Sequence, residues 1–556
     1  MNRLVNRRIR LLLAALTLAF AGLLLRATWL QSVRAESLSR LGQTQHRETV
    51  ALPAGRGTIY DRAGVELGLG ERATTVYANP KQIANPRAAA LAVERTLGLD
   101  ADRVLPLLAD RTHGFVYVER QADPAQAASL QRLKLSGFGF YPEEKRSYPQ
   151  RSVAAQVLGY VGIDGDGLSG LELGFDRQLV GRAGKETIVK DPSGRVIDVQ
   201  QERPETPGRD VFLTLDHSIQ ANAEEVLRQT VHKWHAKSAS AIVLDPRTGA
   251  VLAMAVQPGF DANRYPLAPR DLQRNRTVTD TYEPGSTFKL ITVGAALSER
   301  LVSPSTRFTL PYSLKVADRV IHDAEERGTI NYSVAQILAH SSNIGAIELA
   351  QMLGRTRLST WISRFGFGRV TGIDFPGESP GIVLPPDKWS GSTIGNVPIG
   401  QGIAVTPVQM AAAYAAVANG GIWSRPHLVD HVAGGGRPSL FRRRLVSPRI
   451  AKELMLMLKD VVAEGTGQYA AMPGYQVAGK TGTAQKPDSH GGYATGRYVA
   501  SFVGIVPASR PRFVVLVTVD EPRGAIWGGV VAAPAFQQIA RFDLQYLEVP
   551  PDAPTG

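Results

Sequence analysis

The apolar pattern of the chain opens with residues 11–25, LLLAALTLAFAGLLL, a run that extends to Leu30 if the Arg26 side chain snorkels toward polar head groups. About 20 apolar residues span a bilayer's hydrocarbon, so the pattern predicts a transmembrane anchor over residues 11–30, not a core helix. A cleaved signal peptide is the alternative, but no convincing A-x-A site follows the run. Residues 31–50 are polar and read as a helical juxtamembrane stalk, ended by Pro53 and Gly55. Beyond them, GRGTIYDRAGVELG alternates on both sides of Asp61-Arg62-Ala63-Gly64, which predicts a hairpin.

The texture changes near Leu215. IQANAEEVLRQTVHKWHAK has the spacing of an amphipathic helix, and SAIVLDPRTGAVLAMAV reads as two apolar strands around the turn at residues 245–249. In TPVQMAAAYAAVANGG, Thr406 is the expected cap, Pro407 the first helical residue, Gln409 the partner in a capping box and Asn419-Gly420-Gly421 the stop. VAGKTGTAQ alternates like a strand, and EVPPDAPTG at the end is expected to be disordered. The segments are thus a cytoplasmic N-terminus (1–10), anchor (11–30), stalk (31–50), a first extracytoplasmic region (51–214), a second of mixed helices and strands (215–545), and a tail (546–556).

Composition agrees with several folded domains: 556 residues, 44% hydrophobic and 20% charged. The formal charge of +13 suggests a nucleic-acid partner until it is located, because Arg3, Arg7, Arg8, Arg10, Arg26 and Arg34 all precede the first acid, Glu36. The remainder is only mildly basic and shows no interleaved aromatic and basic platform, so no nucleic-acid partner is expected. Four of those arginines lie before the apolar run, which places Met1 in the cytoplasm and the bulk outside. The absence of cysteine excludes disulfides, thiolate zinc sites and a cysteine nucleophile.

Candidate chemistry gathers in the second region. Gly474 to Thr481 spells a phosphate-binding loop, but Pro473 precedes it, Gly482 follows at once and Pro487 arrives before a helix could form, so a nucleotide site is not expected. In EPGSTFKLITVGAAL, Ser286 and Lys289 are three apart at a helix start, close enough for a neutral amine to activate the hydroxyl, although S-x-x-K alone is a weak signal. Downstream come Ser341-Ser342-Asn343 and then Lys480-Thr481-Gly482-Thr483. A serine with its base, a hydroxyl with an amide, and a cation beside hydroxyls would together make an acyl-transfer site that recognises a carboxylate. Other constellations are read as structural: His232 and His235 lack a third metal ligand, His322-Asp323 has no nucleophile elbow to serve, and Glu378 sits in the turn PGESPG.

In order and separation these three motifs resemble those of the penicillin-binding proteins. RGTIYDRAG and GLSGLELGFDRQLVGRAG are similar to the pedestal of the class B, monofunctional transpeptidases, and TYEPGSTFK, AHSSN, GQGIAVTPVQMAAAYAAVANGG, VAGKTGTAQK, FVGIVPAS and WGGVVAAPAF to their division-type branch. The resemblance implies an α+β fold: one transmembrane helix, an elongated pedestal (dimerisation-type) domain, then a serine β-lactamase-like transpeptidase domain with a five-stranded antiparallel sheet flanked by helices. VAGKTGTAQ would be its edge strand and FVVLVTVD the neighbouring one.

It further implies that Ser286 attacks the D-Ala-D-Ala end of a peptidoglycan stem peptide, with Lys289 accepting its proton and Ser341 relaying one to the leaving D-Ala. The N–H groups of Ser286 and Thr483 would form the oxyanion hole. Lys480 with Thr481, Gly482 and Thr483 would hold the substrate's terminal carboxylate, and Asn343 its backbone. Implied partners are β-lactams, a membrane glycosyltransferase and other division proteins at the bacterial cytoplasmic membrane; no metal or organic cofactor is implied. Alternatives are an elongation-specific enzyme of the same class, a D,D-carboxypeptidase or β-lactamase using water, a penicillin-sensing receptor, and an idle scaffold. The receptor would need a cytoplasmic signalling domain, and intact motifs argue against the scaffold.

Overall fold

The structure is a computed structural model describing residues 2–32, 47–52, 54–190, 196–437, 439–488 and 491–553. The chain divides into two compact units, residues 1–55 with 181–208, and residues 56–180 with 209–556.

In the first unit one helix, Asn2–Ser32, takes in the arginines as well as the apolar run. At 1.5 Å per residue its 31 residues are about 46 Å long, more than a hydrocarbon core requires. Its leucines are open, and the hydroxyls of Thr17 and Thr28 donate to the Leu13 and Leu24 carbonyls one turn back, so these polar side chains are satisfied within the helix. Of the expected stalk, Gln31 and Ser32 belong to this helix, residues 33–46 lie outside the described residues, and Arg47–Leu52 is a strand instead of helix. The reason is a ladder partner far away in sequence, since Arg47–Leu52 pairs antiparallel with Gly184–Lys190, which pairs in turn with Val196–Arg203.

The second unit contains two larger sheets. In one, the predicted hairpin forms between Ile59–Tyr60 and Glu66–Ala78, its turn closed by Asp61 Oδ1, which accepts from the Ala63 and Val65 amides. Ile59–Tyr60 also pairs in parallel with Val211–Leu213, which pairs with Val429–Val432. The glycine-rich stretch after residue 165 supplies a buried ionic knot. Glu172, wholly enclosed, accepts from Arg56 Nε at 2.8 Å and Arg146 Nε at 2.6 Å, and Asp176 pairs with Arg56 at 2.8 Å. Bringing three segments to one carboxylate compensates the desolvation that an isolated buried charge would suffer.

The other sheet is antiparallel, in the order Val251–Gln257, Ser238–Leu244, Phe513–Asp520, Tyr493–Val506, Ala478–Pro487. Its strands read as nearly continuous apolar runs because both faces are covered. Val514 and Leu516 pack with helices Lys289–Ser298, Asn343–Phe365, Pro407–Ala418 and Pro448–Ala463, whereas Val515, Val517 and Val519 pack with His217–Trp234 and Ala533–Tyr546. The capping box of Thr406 and Gln409 forms as predicted. VAGKTGTAQ lies on the edge strand, but FVVLVTVD is not its neighbour: Tyr493–Val506 folds back on the edge strand and separates the two.

The tail is also more ordered than its composition suggests. Helix Ala533–Tyr546 contains its first residue, the Val549 carbonyl accepts from Tyr475 Oη, and Asp552 accepts from the Gln476 amide at 2.7 Å and from the Ser509 amide and hydroxyl at 3.1 and 2.5 Å. One acid fixes three donors, a non-local contact that proline-rich composition conceals; residues 554–556 lie outside the described residues. Asp552→Ala is expected to reduce unfolding free energy by about 1–2 kcal/mol, because it strands those donors; an unchanged urea midpoint would show the tail to be unimportant for stability.

Candidate active site

Ser286 lies in a short 3-10 turn, Gly285–Phe288, that runs directly into helix Lys289–Ser298. The turn is pinned from several sides. The Gly285 amide donates to the Gly400 carbonyl at 3.1 Å, the Thr287 hydroxyl to the Pro284 carbonyl at 2.7 Å, and the buried Tyr414 hydroxyl to the Thr287 carbonyl at 2.7 Å. Gly285 has φ of +54°, and a Cβ there would come within 2.9 Å of the Thr483 carbonyl oxygen. Only glycine lets the turn approach the edge strand this closely. Gly482 is the matching feature on the strand, where a Cβ would meet Ser501 Oγ at 2.3 Å.

The approach also orients donors. The Thr483 carbonyl faces Gly285, and N–H and C=O of one strand residue point to the same side, so the Thr483 N–H lies on the unpaired edge beside the serine turn. The Ser286 N–H belongs to the first helical turn, where amides have no intrahelical partner.

The Lys289 amine is fully buried and donates to three acceptors: the Ser341 carbonyl, Ser341 Oγ at 3.2 Å and Asn343 Oδ1 at 2.7 Å. The i,i+3 spacing suggested a Lys289–Ser286 hydrogen bond, and none forms in this structure. Three acceptors suit the three N–H bonds of an ammonium, and they outcompete the half-buried Ser286 hydroxyl. Ser341 reaches the amine from a left-handed conformation, φ +60°. Asn343, the first residue of helix Asn343–Phe365, also donates from Nδ2 to the His322 carbonyl at 2.8 Å.

Lys480 is fully buried as well, its amine 3.3 Å from both the carbonyl and the hydroxyl of Thr481. Thr481 Oγ1 shares a hydrogen bond with Thr466 at 2.7 Å, and Thr483 Oγ1 accepts from the Gly528 amide at 3.1 Å. Burial pushes the Lys289 amine down to about 7, opposed by the negative charge of Asp323. Burial, with like-charge repulsion from Lys289, also holds Lys480 well below the ordinary lysine range. The two amines therefore converge on one site from the helix and from the edge strand.

Several groups in this network were not singled out by sequence. Asp323, weighed only as a possible triad partner of His322, accepts from the Asn343 and Ile344 amides and the Ser342 hydroxyl. Tyr414 and Gly400 carry no local signal of their role, which depends on residues more than a hundred positions away. The motifs read as structural sit as expected. His232 and His235 are exposed, Glu378 accepts from the amide and hydroxyl of Thr371 and the amide of Gly372, and the phosphate-loop spelling runs into the edge strand.

Residues 239–541 match the penicillin binding protein transpeptidase domain family, and residues 51–213 the penicillin-binding protein dimerisation domain family. The chain is 34% identical over 565 aligned residues to the probable peptidoglycan D,D-transpeptidase PenA of Neisseria meningitidis serogroup A, covering 99% of this chain and 94% of that protein. It is 32% identical over 563 aligned residues to the peptidoglycan D,D-transpeptidase FtsI of Escherichia coli K12, with the same coverage of each chain. Among solved structures it is similar to penicillin binding protein 3 from Mycobacterium tuberculosis in complex with aztreonam, with 31% identity, a TM-score of 0.70, and coverage of 91% of this chain and 99% of that one.

Proposed function

Because the chain belongs to the class B penicillin-binding proteins and is a serine-type peptidoglycan D,D-transpeptidase, we propose that Ser286 is its nucleophile and Lys289 the base that activates it. The observation that carries this reading is a fully buried amine, held low by burial, one turn from a serine at the free edge of the sheet. Neutral Lys289 takes the Ser286 proton as Oγ bonds to the penultimate D-Ala carbonyl carbon. The negative oxygen forms between the N–H groups of Ser286 and Thr483, where fixed donors stabilise developing charge. The C–N bond to terminal D-Ala then breaks, and that nitrogen receives the proton from Lys289 through Ser341, which already bonds the amine. An amine of a neighbouring stem attacks the ester, returns its proton by the same route and releases Ser286.

Lys480, with Thr481, Gly482 and Thr483, binds the terminal carboxylate, and Asn343 contacts the stem backbone. Burial holds Lys480 well below the ordinary lysine range, and an arriving carboxylate favours its ammonium form. The β-lactams acylate Ser286 along the same path.

The membrane arrangement we infer has the helix Asn2–Ser32 as a single-pass anchor in the cytoplasmic membrane, with Arg3, Arg7, Arg8 and Arg10 inside. We further infer a role in septal wall synthesis, with a glycosyltransferase and division proteins as partners; the motif stretches similar to the division-type branch support this reading.

Ser286→Ala should lose covalent penicillin labelling with its melting temperature unchanged; labelling that persists would identify another serine. The base must be neutral, so parental acylation should rise with pH through about 7, the value to which Lys289 is depressed. Lys289→Arg, which cannot give up its proton, should lose roughly 10² to 10⁴-fold and this rising limb; acylation within about tenfold of the parent, less than a positioned base contributes, excludes Lys289 as base. Protease added to spheroplasts should digest the chain beyond residue 35, and protection of the large unit would reverse the orientation. A fluorescent fusion should gather at the septum; uniform lateral-wall signal would point to elongation.

A further inference from the structure

We propose that Asp323 is a positioning residue of the acylation step, a buried carboxylate that builds the Ser341–Asn343 turn and is the anion facing Lys289. The inference rests on Lys289 being the proton acceptor. Asp323 lies just after strand Arg319–His322, and its own backbone is fixed by an amide hydrogen bond to the Tyr312 carbonyl at 3.1 Å. Its side chain is 8% exposed. Oδ1 accepts from the Asn343 amide at 2.5 Å and the Ile344 amide at 3.2 Å, and Oδ2 from the Ser342 hydroxyl at 3.1 Å. Arg327, four residues on, pairs with Oδ2.

Those two amides open helix Asn343–Phe365, where N–H groups lack intrahelical partners and the helix dipole favours an anion. The helix start is thus held by a carboxylate from another segment, in addition to its own cap, the Ser342 hydroxyl, which accepts from the Gly345 amide at 3.1 Å. The geometric consequence falls on Ser341. It occupies a left-handed conformation that a serine rarely adopts, and its carbonyl and hydroxyl both face the Lys289 amine. Clamping the next three residues fixes Ser341 there. The His322 carbonyl adds a second tie from the same segment, accepting from Asn343 Nδ2. One short stretch, His322-Asp323, therefore orients both side chains that receive the lysine's hydrogen bonds.

The charge acts on the same amine. Among the described residues, the charged groups around Lys289 are Asp323, which favours its protonation, with Arg327 behind the carboxylate, and Lys480 on the edge strand, whose own protonation Lys289 disfavours; the His322 ring is exposed and packs on Tyr312. Removing the anion must lower the proton affinity of Lys289, and removing Arg327 must raise it.

The test is the pH dependence of penicillin acylation, with stem-peptide kcat and KM measured beside it. In Asp323→Asn the rising limb should move down by about 1 pH unit, the lower range for loss of a nearby opposite charge, while the plateau rate falls about tenfold as the turn loosens. Asp323→Glu should restore the limb to its parental position and leave the plateau reduced, separating charge from placement. Arg327→Gln should move the limb up, and it carries the test if Asp323→Asn does not fold. The expected loss is in kcat with KM little changed, since Asp323 touches no substrate. A lower melting temperature and plateau with the limb fixed in both the Asp323→Asn and Arg327→Gln proteins would make Asp323 purely structural and overturn the proposal. If the parent itself shows no rising limb, Lys289 is not the base, and both the base assignment and this inference fail.

Discussion

Two lysine amines are buried within one site, and much of the catalytic region is arranged around that constraint. Burial disfavours charge on an amine, and two adjacent amines disfavour it further. Lys289 and Lys480 relieve the penalty differently. The former is ringed by the Ser341 carbonyl, Ser341 hydroxyl and Asn343 amide oxygen with Asp323 beyond them, whereas among the described residues the latter's hydrogen-bond partner is Thr481. Burial pushes the Lys289 amine down to about 7 against the pull of a nearby anion, and it holds Lys480 well below the ordinary lysine range as well.

Such an arrangement requires parts from distant segments to be held at close range. The serine turn meets the edge strand at Gly285 and Gly482, both of which lack room for a side chain. Behind the turn, Tyr414 and the Gly400 carbonyl bind its backbone, so Ser286 is carried by a braced segment rather than a loose loop. Both faces of the central sheet are packed, which leaves the outer edge of Ala478–Pro487 as the open rim where substrate backbone can add.

What the sequence made legible was what short-range pattern encodes. The hairpin at Asp61, the capping box of Thr406 and Gln409, and the paired strands around residues 245–249 depend on neighbours a few positions away, and they form as read. Motif spacing drew attention to Ser286, Lys289, Ser341, Asn343 and Lys480, and the structure brings Lys289, Ser341 and Asn343 into hydrogen-bond contact. Contacts across long separations were not legible. Arg47–Leu52 became a strand because Gly184–Lys190 pairs with it, Asp552 ordered a proline-rich tail by reaching Gln476 and Ser509, and Asp323 found donors twenty residues away. The same limit explains the missing Lys289–Ser286 hydrogen bond, since i,i+3 geometry says what the amine can reach, not which acceptors compete for it.

The pairing of Ile59–Tyr60 with Val211–Leu213, and of the latter with Val429–Val432, has a consequence for biosynthesis. A strand cannot pair with a segment that has not yet been made. At about 5–20 residues per second, the ribosome needs roughly 20 to 75 s to travel from the first of these strands to the last. For that time the sheet that holds the hairpin at Asp61 lacks one side, and an open strand edge, first that of Ile59–Tyr60 and then that of Val211–Leu213, faces any chain nearby. The early strands of this sheet must therefore wait for a segment made several hundred residues later before the sheet is complete.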